Sequence, residues 1–447
     1  MVGTWEGTLE AAGLRLVFHV ETAEGGELTG TMDSPDQGAT GIPASSVTFA
    51  DGALTFEVQN LGMTYEGTLS EDGTTLEGTF TQGAARLPLT LARETEASAP
   101  ERPQNPEPPF PYDTEEVRFD GSEPGVGLAG TLTLPRGEGP FPAAVLVTGS
   151  GPQDRDESLL GHRPFLVLSD HLTRAGIAVL RYDERGVGES SGDFTTATSV
   201  EFASDALQAV HYLRSRPDIG PVGIVGHSEG GLVGPMAAVR DEAVAYVVMM
   251  AGPGLTGAEI IDLQTELISR AQGIPEEMIQ LNRKTQHKLF EVVESDPDPA
   301  SAAPKLRAIL EASLEELPQD LRSQGPEAMS SEAIEAQVQQ MNSPWIRHFL
   351  RYDPRPTLER VTVPVLAING EKDLQVPAEV NLAEIAAAFE RGGNPDATTL
   401  LLPGLNHLFQ EADTGAPTEY ARITETMNPA AMDAVSSWIV ARFGEGG

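Results

Sequence analysis

Residues 226–230 read Gly-His-Ser-Glu-Gly. A serine framed as G-x-S-x-G marks a nucleophile on a sharp strand-to-helix turn. The flanks fit: GPVGIV reads as a buried strand, and GLVGPMAAVR as a helix that opens with small residues. Gly226 and Gly230 allow the backbone to close around such an elbow. A serine hydroxyl needs a base, normally histidine, and eight histidines are available. His19 lies in an N-terminal β segment. His171 and His211 lie on expected helices before the elbow, and His287 and His348 in a helical insertion after it. His227 adjoins Ser228, so its side chain should diverge from the nucleophile. His407, in LLLPGLNHLFQ, follows the last expected strand, where a base must hang to reach the elbow. His162, in GHRPF, is the second choice. The base needs a carboxylate to fix its tautomer. Asp373, in VLAINGEKDLQVP, lies just beyond another strand, with Glu371 as the alternative. Nucleophile, acid and base then come in the chain order Ser228, Asp373, His407.

The developing oxyanion needs two N–H donors. One is expected from Glu229, the residue after the nucleophile. The other is expected from Ser150, or alternatively Gly151, in VTGSGPQDRDE. A charged Glu229 beside a developing anion calls for neutralisation. Its carboxylate suits a helix N-terminus, and Arg185 in RYDERGVG is the expected partner, bracing the elbow. An unpaired Glu229 facing the pocket would instead suit a substrate amine. The charges of Gln153-Asp154-Arg155-Asp156 read as structural ion pairs.

The elements that must hold these residues follow from patterning over 447 residues, enough for two or three domains. Residues 1–92 form an all-β module of short alternating segments, expected as a small barrel or sandwich. It reads as a stabilising or docking module, or as a binder of carbohydrate or lipid. Residues 93–113, with six prolines, read as an extended linker. From 114 onward apolar β-branched runs alternate with helices, at 164–175, 200–214 and 229–239 among others. That is the pattern of a parallel sheet buried on both faces. A helical insertion at about 255–350 is expected to cap the C-terminal edge of the sheet, where ligands bind.

Composition excludes some chemistry. The chain has no cysteine, so disulfides and thiolate catalysis are absent. No apolar run reaches the length of a membrane span. The net charge is −38, from 67 acidic and 29 basic residues. Such a surface repels nucleic acid. It also suits a salt-rich habitat, in which screening relieves self-repulsion; a melting midpoint unchanged between low and molar salt would oppose that reading. MVGTWEGTLE lacks the features of a signal peptide, which is compatible with a periplasmic or secreted protein whose leader is absent from this chain.

The segments GSGPQDRDE, RYDERGVGESSGDF, GHSEGG, NGEKDLQVP and PGLNHLF, in that order, resemble the α/β-hydrolase superfamily. They are most similar to bacterial esterases related to the serine aminopeptidase and dienelactone hydrolase groups. The resemblance covers roughly residues 114–443. It implies a mainly parallel eight-stranded sheet, an acyl-enzyme on Ser228 with Asp373 and His407, no cofactor or metal, and a small-molecule ester substrate. The dienelactone group often uses a cysteine nucleophile, and here the position is serine. The expected activity is a carboxylesterase for short to medium acyl esters. A serine aminopeptidase or amidase on small peptides is the alternative, and a non-catalytic binding protein is a third reading.

Overall fold

Strict alternation in the first segments produces nine antiparallel strands: β1 (Gly3–Leu9), β2 (Leu14–Thr22), β3 (Leu28–Ser34), β4 (Ala39–Pro43), β5 (Ser46–Ala50), β6 (Ala53–Val58), β7 (Met63–Leu69), β8 (Thr75–Gln82) and β9 (Ala85–Arg93). They form one sheet, ordered β4-β3-β2-β1-β9-β8-β7-β6-β5. Every second side chain points to one face, and the sheet curls around it, so that a Cβ on Gly30 of β3 would stand 2.9 Å from the ring of Phe56 on β6. The interior is filled with aromatic side chains. Phe18 stacks on Phe56 at 4.6 Å and meets Tyr65 edge-on at 5.4 Å. The buried Tyr65 hydroxyl donates to Leu76 O at 2.9 Å. The barrel-like module expected from the alternation is present.

The computed structural model describes residues 1–9, 14–23, 26–34, 39–50, 52–82, 85–93, 102–316 and 331–444. The chain forms two compact units, Met1–Glu101 with Ala303–Gln339, and Arg102–Ala302 with Gln340–Gly447. The middle of the helical insertion therefore groups with the N-terminal strands, and its two ends with the second unit. Of the linker, residues 94–101 lie outside the described residues. Residues 102–112 are not extended free chain: Arg102 donates to Leu160 O and Ile423 O, and Gln104 to Met427 O.

The second unit is built on an eight-stranded sheet ordered β10-β11-β13-β12-β14-β15-β16-β17. The strands are β10 (Asp113–Asp120), β11 (Gly127–Leu134), β12 (Phe141–Val147), β13 (Ala178–Tyr182), β14 (Ile219–His227), β15 (Val244–Met250), β16 (Val365–Gly370) and β17 (Ala397–Leu402). β10 and β11 make the opening hairpin, β11 runs antiparallel to β13, and β13 through β17 with β12 are parallel. Burial on both faces explains the unbroken apolar runs. Along β12, Ala143, Val145 and Val147 enter one core while Ala144 and Leu146 enter the other. The first core receives α2 (Ser199–Arg214), α3 (Gly230–Ala238) and the helix Ala378–Gly392. The second receives α1 (Pro164–Arg174) and the helix Pro429–Phe443. The α/β-hydrolase sheet with helices on both faces is as expected, and the three helices flanking the elbow begin within one residue of their expected positions.

Two insertion segments pack together in this unit: α4 (Gly257–Ala271), followed by α5 (Glu276–Ser295), and the helix Pro344–Arg351. The short helix starts on a Ser343 cap with Pro344 in its first turn, the sequence chemistry that suits a helix start. It approaches α4 so closely that a Cβ on Gly257 would stand 2.1 Å from Phe349 O. Among the described residues no helix is long and apolar enough to cross a membrane.

Candidate active site

Ser228 sits between β14 and α3 with φ +52°, a left-handed backbone that disfavours any side chain. The surroundings hold it there. Ser228 N–H donates to Met250 O at 2.8 Å, and Gly231 N–H returns to Ser228 O at 2.9 Å. The two glycines are required by space rather than by flexibility. A Cβ on Gly226 would stand 1.9 Å from Gly230 O, and one on Gly230 2.1 Å from Val147 O.

His407 follows β17 in a turn bound by its own side chains. Asn406 Oδ1 accepts from Leu408 N and Gln410 N, and Phe409 takes φ +59°. Asp373, in the loop after β16, accepts from His407 Nδ1 at 2.8 Å through Oδ2. Its other oxygen accepts from Gln375 N and Val376 N, each at 2.8 Å. Both side chains are buried. Ser228 and His407 line one cavity of about 400 Å³. The Ser228 hydroxyl is not hydrogen-bonded to His407 in this structure, and such contacts are commonly long before substrate arrives.

The two alternatives occupy other positions. His162 is fully buried, with Nδ1 at Thr426 Oγ1 and Nε2 at Tyr420 O. Burial pushes its pKa down to about 4, only partly offset by the Tyr420 carbonyl, so it is a neutral structural histidine. Glu371 accepts from Gly404 N and does not reach His407.

The loop after β12 runs against Ser228: a Cβ on Gly149 would stand 3.2 Å from Ser228 Cβ. Gly149 N–H is already given to Glu157 Oε1 at 2.7 Å. The Ser150 and Glu229 N–H groups have no protein partner among the described residues. Gly151, at φ +106°, supplies the turn that follows. The neighbouring charges form ion pairs as expected: Arg155 with Asp183 and Glu116, and Asp156 with Arg163 and Arg181.

The expected Glu229–Arg185 pair is not formed. Arg185 turns to the buried Asp205 of α2 at 2.7 Å, with further bonds to Glu123 and Ser122. A buried carboxylate on α2 without that guanidinium would be an unpaired charge, and this demand takes the arginine away from the elbow. Glu229 is satisfied by neutral donors instead. Ser199 Oγ donates at 2.5 Å, and Trp345 Nε1 reaches both carboxylate oxygens at 2.8 and 2.9 Å. A Thr198–Glu201 capping box starts α2 at Ser199 and so places that hydroxyl. Burial raises the Glu229 pKa, and the bonds from Ser199, Trp345 and Ser150 act against it. The Glu229 carboxylate is thus held by donors from α2 and from the helix Pro344–Arg351.

Trp345 also stacks on Phe349 at 4.9 Å. With Ile260 and Ile261 of α4, Val376 and Leu408 they make the apolar wall of the cavity. Trp345→Phe keeps an aromatic wall but removes the one donor that reaches both oxygens of the buried carboxylate. The expected loss is about 1–3 kcal/mol of unfolding free energy, measured by denaturant titration. A variant as stable as the wild type would show that Glu229 does not depend on this donor.

Sequence reasoning misses Ser199, Trp345 and Glu157. Glu157 carries the one usable signal, its place in the GSGPQDRDE segment. Among the described residues no group of three His, Asp or Glu side chains is arranged to hold a metal ion.

A family model for X-Pro dipeptidyl-peptidases (S15 family) matches residues 122–403. Esterase EstD of Thermotoga maritima is 30% identical over 321 residues, covering 70% of this chain and 66% of that protein. Among solved structures, a Pyrococcus furiosus esterase is similar at TM-score 0.41 with 14% identity, over 78% of this chain and 99% of the other. A dienelactone hydrolase from Anabaena variabilis is similar at TM-score 0.40 with 17% identity, over 74% and 99%.

Proposed function

The chain belongs to the X-Pro dipeptidyl-peptidase (S15) family and has the α/β-hydrolase fold, and from that premise we propose that it is a serine carboxylesterase for short to medium acyl esters. The observation that carries this reading is the shared cavity. It joins the elbow serine to a histidine oriented by a buried aspartate, under an apolar wall sized for a modest acyl group.

In the proposed reaction Ser228 Oγ attacks the acyl carbonyl while His407 Nε2 takes its proton. The tetrahedral oxyanion lies toward the Ser150 and Glu229 N–H groups, which are available for it. The imidazolium returns the proton to the leaving alcohol as the C–O bond breaks. Water then attacks the acyl-enzyme by the same route, releasing the acid and restoring Ser228. Asp373 holds the proton on Nδ1, so that Nε2 is free to act as base.

A peptidase reading draws on the family description alone. A free amino terminus would need an available carboxylate near Ser228. The two cavity carboxylates are engaged, Glu229 by Ser199 and Trp345 and Glu157 by His227 and Gly149. This favours esters. The test is a panel of p-nitrophenyl esters of graded acyl length, run beside aminoacyl- and Xaa-Pro-p-nitroanilides. Short and medium esters should have the highest kcat/KM. Faster turnover of any anilide would overturn the reading.

A further inference from the structure

The residue before the nucleophile makes contacts that the triad does not account for. His227 is buried, and its ring lies 4.8 Å from that of His407. Its Nε2 faces His407 O at 3.0 Å, and its Nδ1 faces Glu157 Oε1 at 2.9 Å. A main-chain carbonyl can only accept, so Nε2 must carry a proton. Glu157 Oε1 already accepts Gly149 N–H at 2.7 Å, which favours the carboxylate form over an acid donating to Nδ1. Both ring nitrogens then donate. Glu157 itself holds φ +53°, an unusual backbone for a glutamate and one that persists when its surroundings demand it.

We infer that His227 is held as an imidazolium on Glu157, and that this pair is a positioning device coupling the Gly149–Ser150 loop to the turn that carries His407. The chain of bonds runs from Gly149 N–H to Glu157, to His227, to His407 O. It joins the donor side of the reaction to its base along the wall of the cavity. The catalytic half of the inference rests on the hydrolase reading above, whereas the protonation state does not.

The charged and titratable groups that face His227 are Glu157, His407 and, behind it, Asp373; Phe409 supplies an apolar edge. Burial lowers the His227 pKa, but the charge and hydrogen bond of Glu157, the His407 carbonyl and the charge of Asp373 outweigh it, and the net direction is upward. For a raised histidine the contribution is complete below the ordinary value near 6.5 and is lost as pH rises through the raised value.

The test uses the full-length protein with ¹⁵N-labelled histidine. Two ring N–H signals from His227 should persist above the ordinary histidine range in the wild type, and Glu157→Gln should lose one of them. A single ring N–H in the wild type at neutral pH would overturn the inference. The positioning role is read from the rate at which a fluorophosphonate labels Ser228, which needs the base and the oxyanion donors but no ester. Glu157→Gln should slow labelling about 10–100-fold, the cost of a displacement of roughly 1 Å, with the melting temperature checked alongside. An unchanged rate in a folded Glu157→Gln protein would reject the coupling. Absence of ester turnover with normal labelling would reject the esterase reading alone.

Discussion

Ser228→Ala will lose ester turnover by about 10⁴–10⁶-fold, to the residue of catalysis that binding and oxyanion donors retain. The fold will not change, because the elbow does not depend on the hydroxyl. Its bonds are main-chain ones, from Ser228 N to Met250 O and from Gly231 N to Ser228 O. Its tight spacing belongs to Gly226 and Gly230. Alanine also tolerates the left-handed φ no worse than serine does. The measurement is kcat for a p-nitrophenyl ester, with KM and the melting temperature recorded beside it. Loss of kcat without loss of stability is expected. Activity within tenfold of wild type would place the nucleophile elsewhere.

Asp373→Asn will cost about 10⁴-fold in kcat, and the local geometry explains why an isosteric change is so damaging. One carboxylate oxygen receives the Gln375 and Val376 N–H groups, and the other receives His407 Nδ1. An asparagine must aim its oxygen at the two backbone donors, since two N–H groups facing its NH₂ would be unpaired. Its NH₂ then points at His407 Nδ1 and donates there. The imidazole proton moves to Nε2, the nitrogen that must accept from Ser228. Glu371 cannot substitute, because its carboxylate is bound to Gly404 N on the exposed side of the loop. Ester hydrolysis by the purified variant is the measurement. Retention of most activity would mean that His407 is oriented by some other group.

Much of the scaffold was legible because buried parallel strands write themselves as unbroken apolar runs. Ser228 and Asp373 follow such runs, β14 and β16, and His407 follows β17, a largely exposed edge strand, so their candidacy could be argued from position alone. The partners of Glu229 could not. Trp345 lies 116 residues away and Ser199 thirty, and both depend on how a cap helix and α2 are rotated. Arg185 was misassigned for the same reason: proximity along the sheet edge suggested Glu229, whereas the register of α2 turned Asp205 inward. The Glu157–His227 pair was equally hidden. His227 was expected to point away from the serine, and it does diverge into the interior, but nothing in its spacing indicated what it would meet there. The middle of the insertion groups with the N-terminal strands and its ends with the second unit, a division that helical periodicity does not encode.

A serine esterase mechanism requires a covalent acyl group at Ser228. Rapid acid quenching of the protein during turnover of p-nitrophenyl acetate, followed by peptide mass analysis, reads it out. One acetyl group on the peptide containing Ser228 is predicted, formed in a burst and lost as turnover ends. Full turnover with no adduct on that peptide, or with the adduct on another residue, would contradict the account.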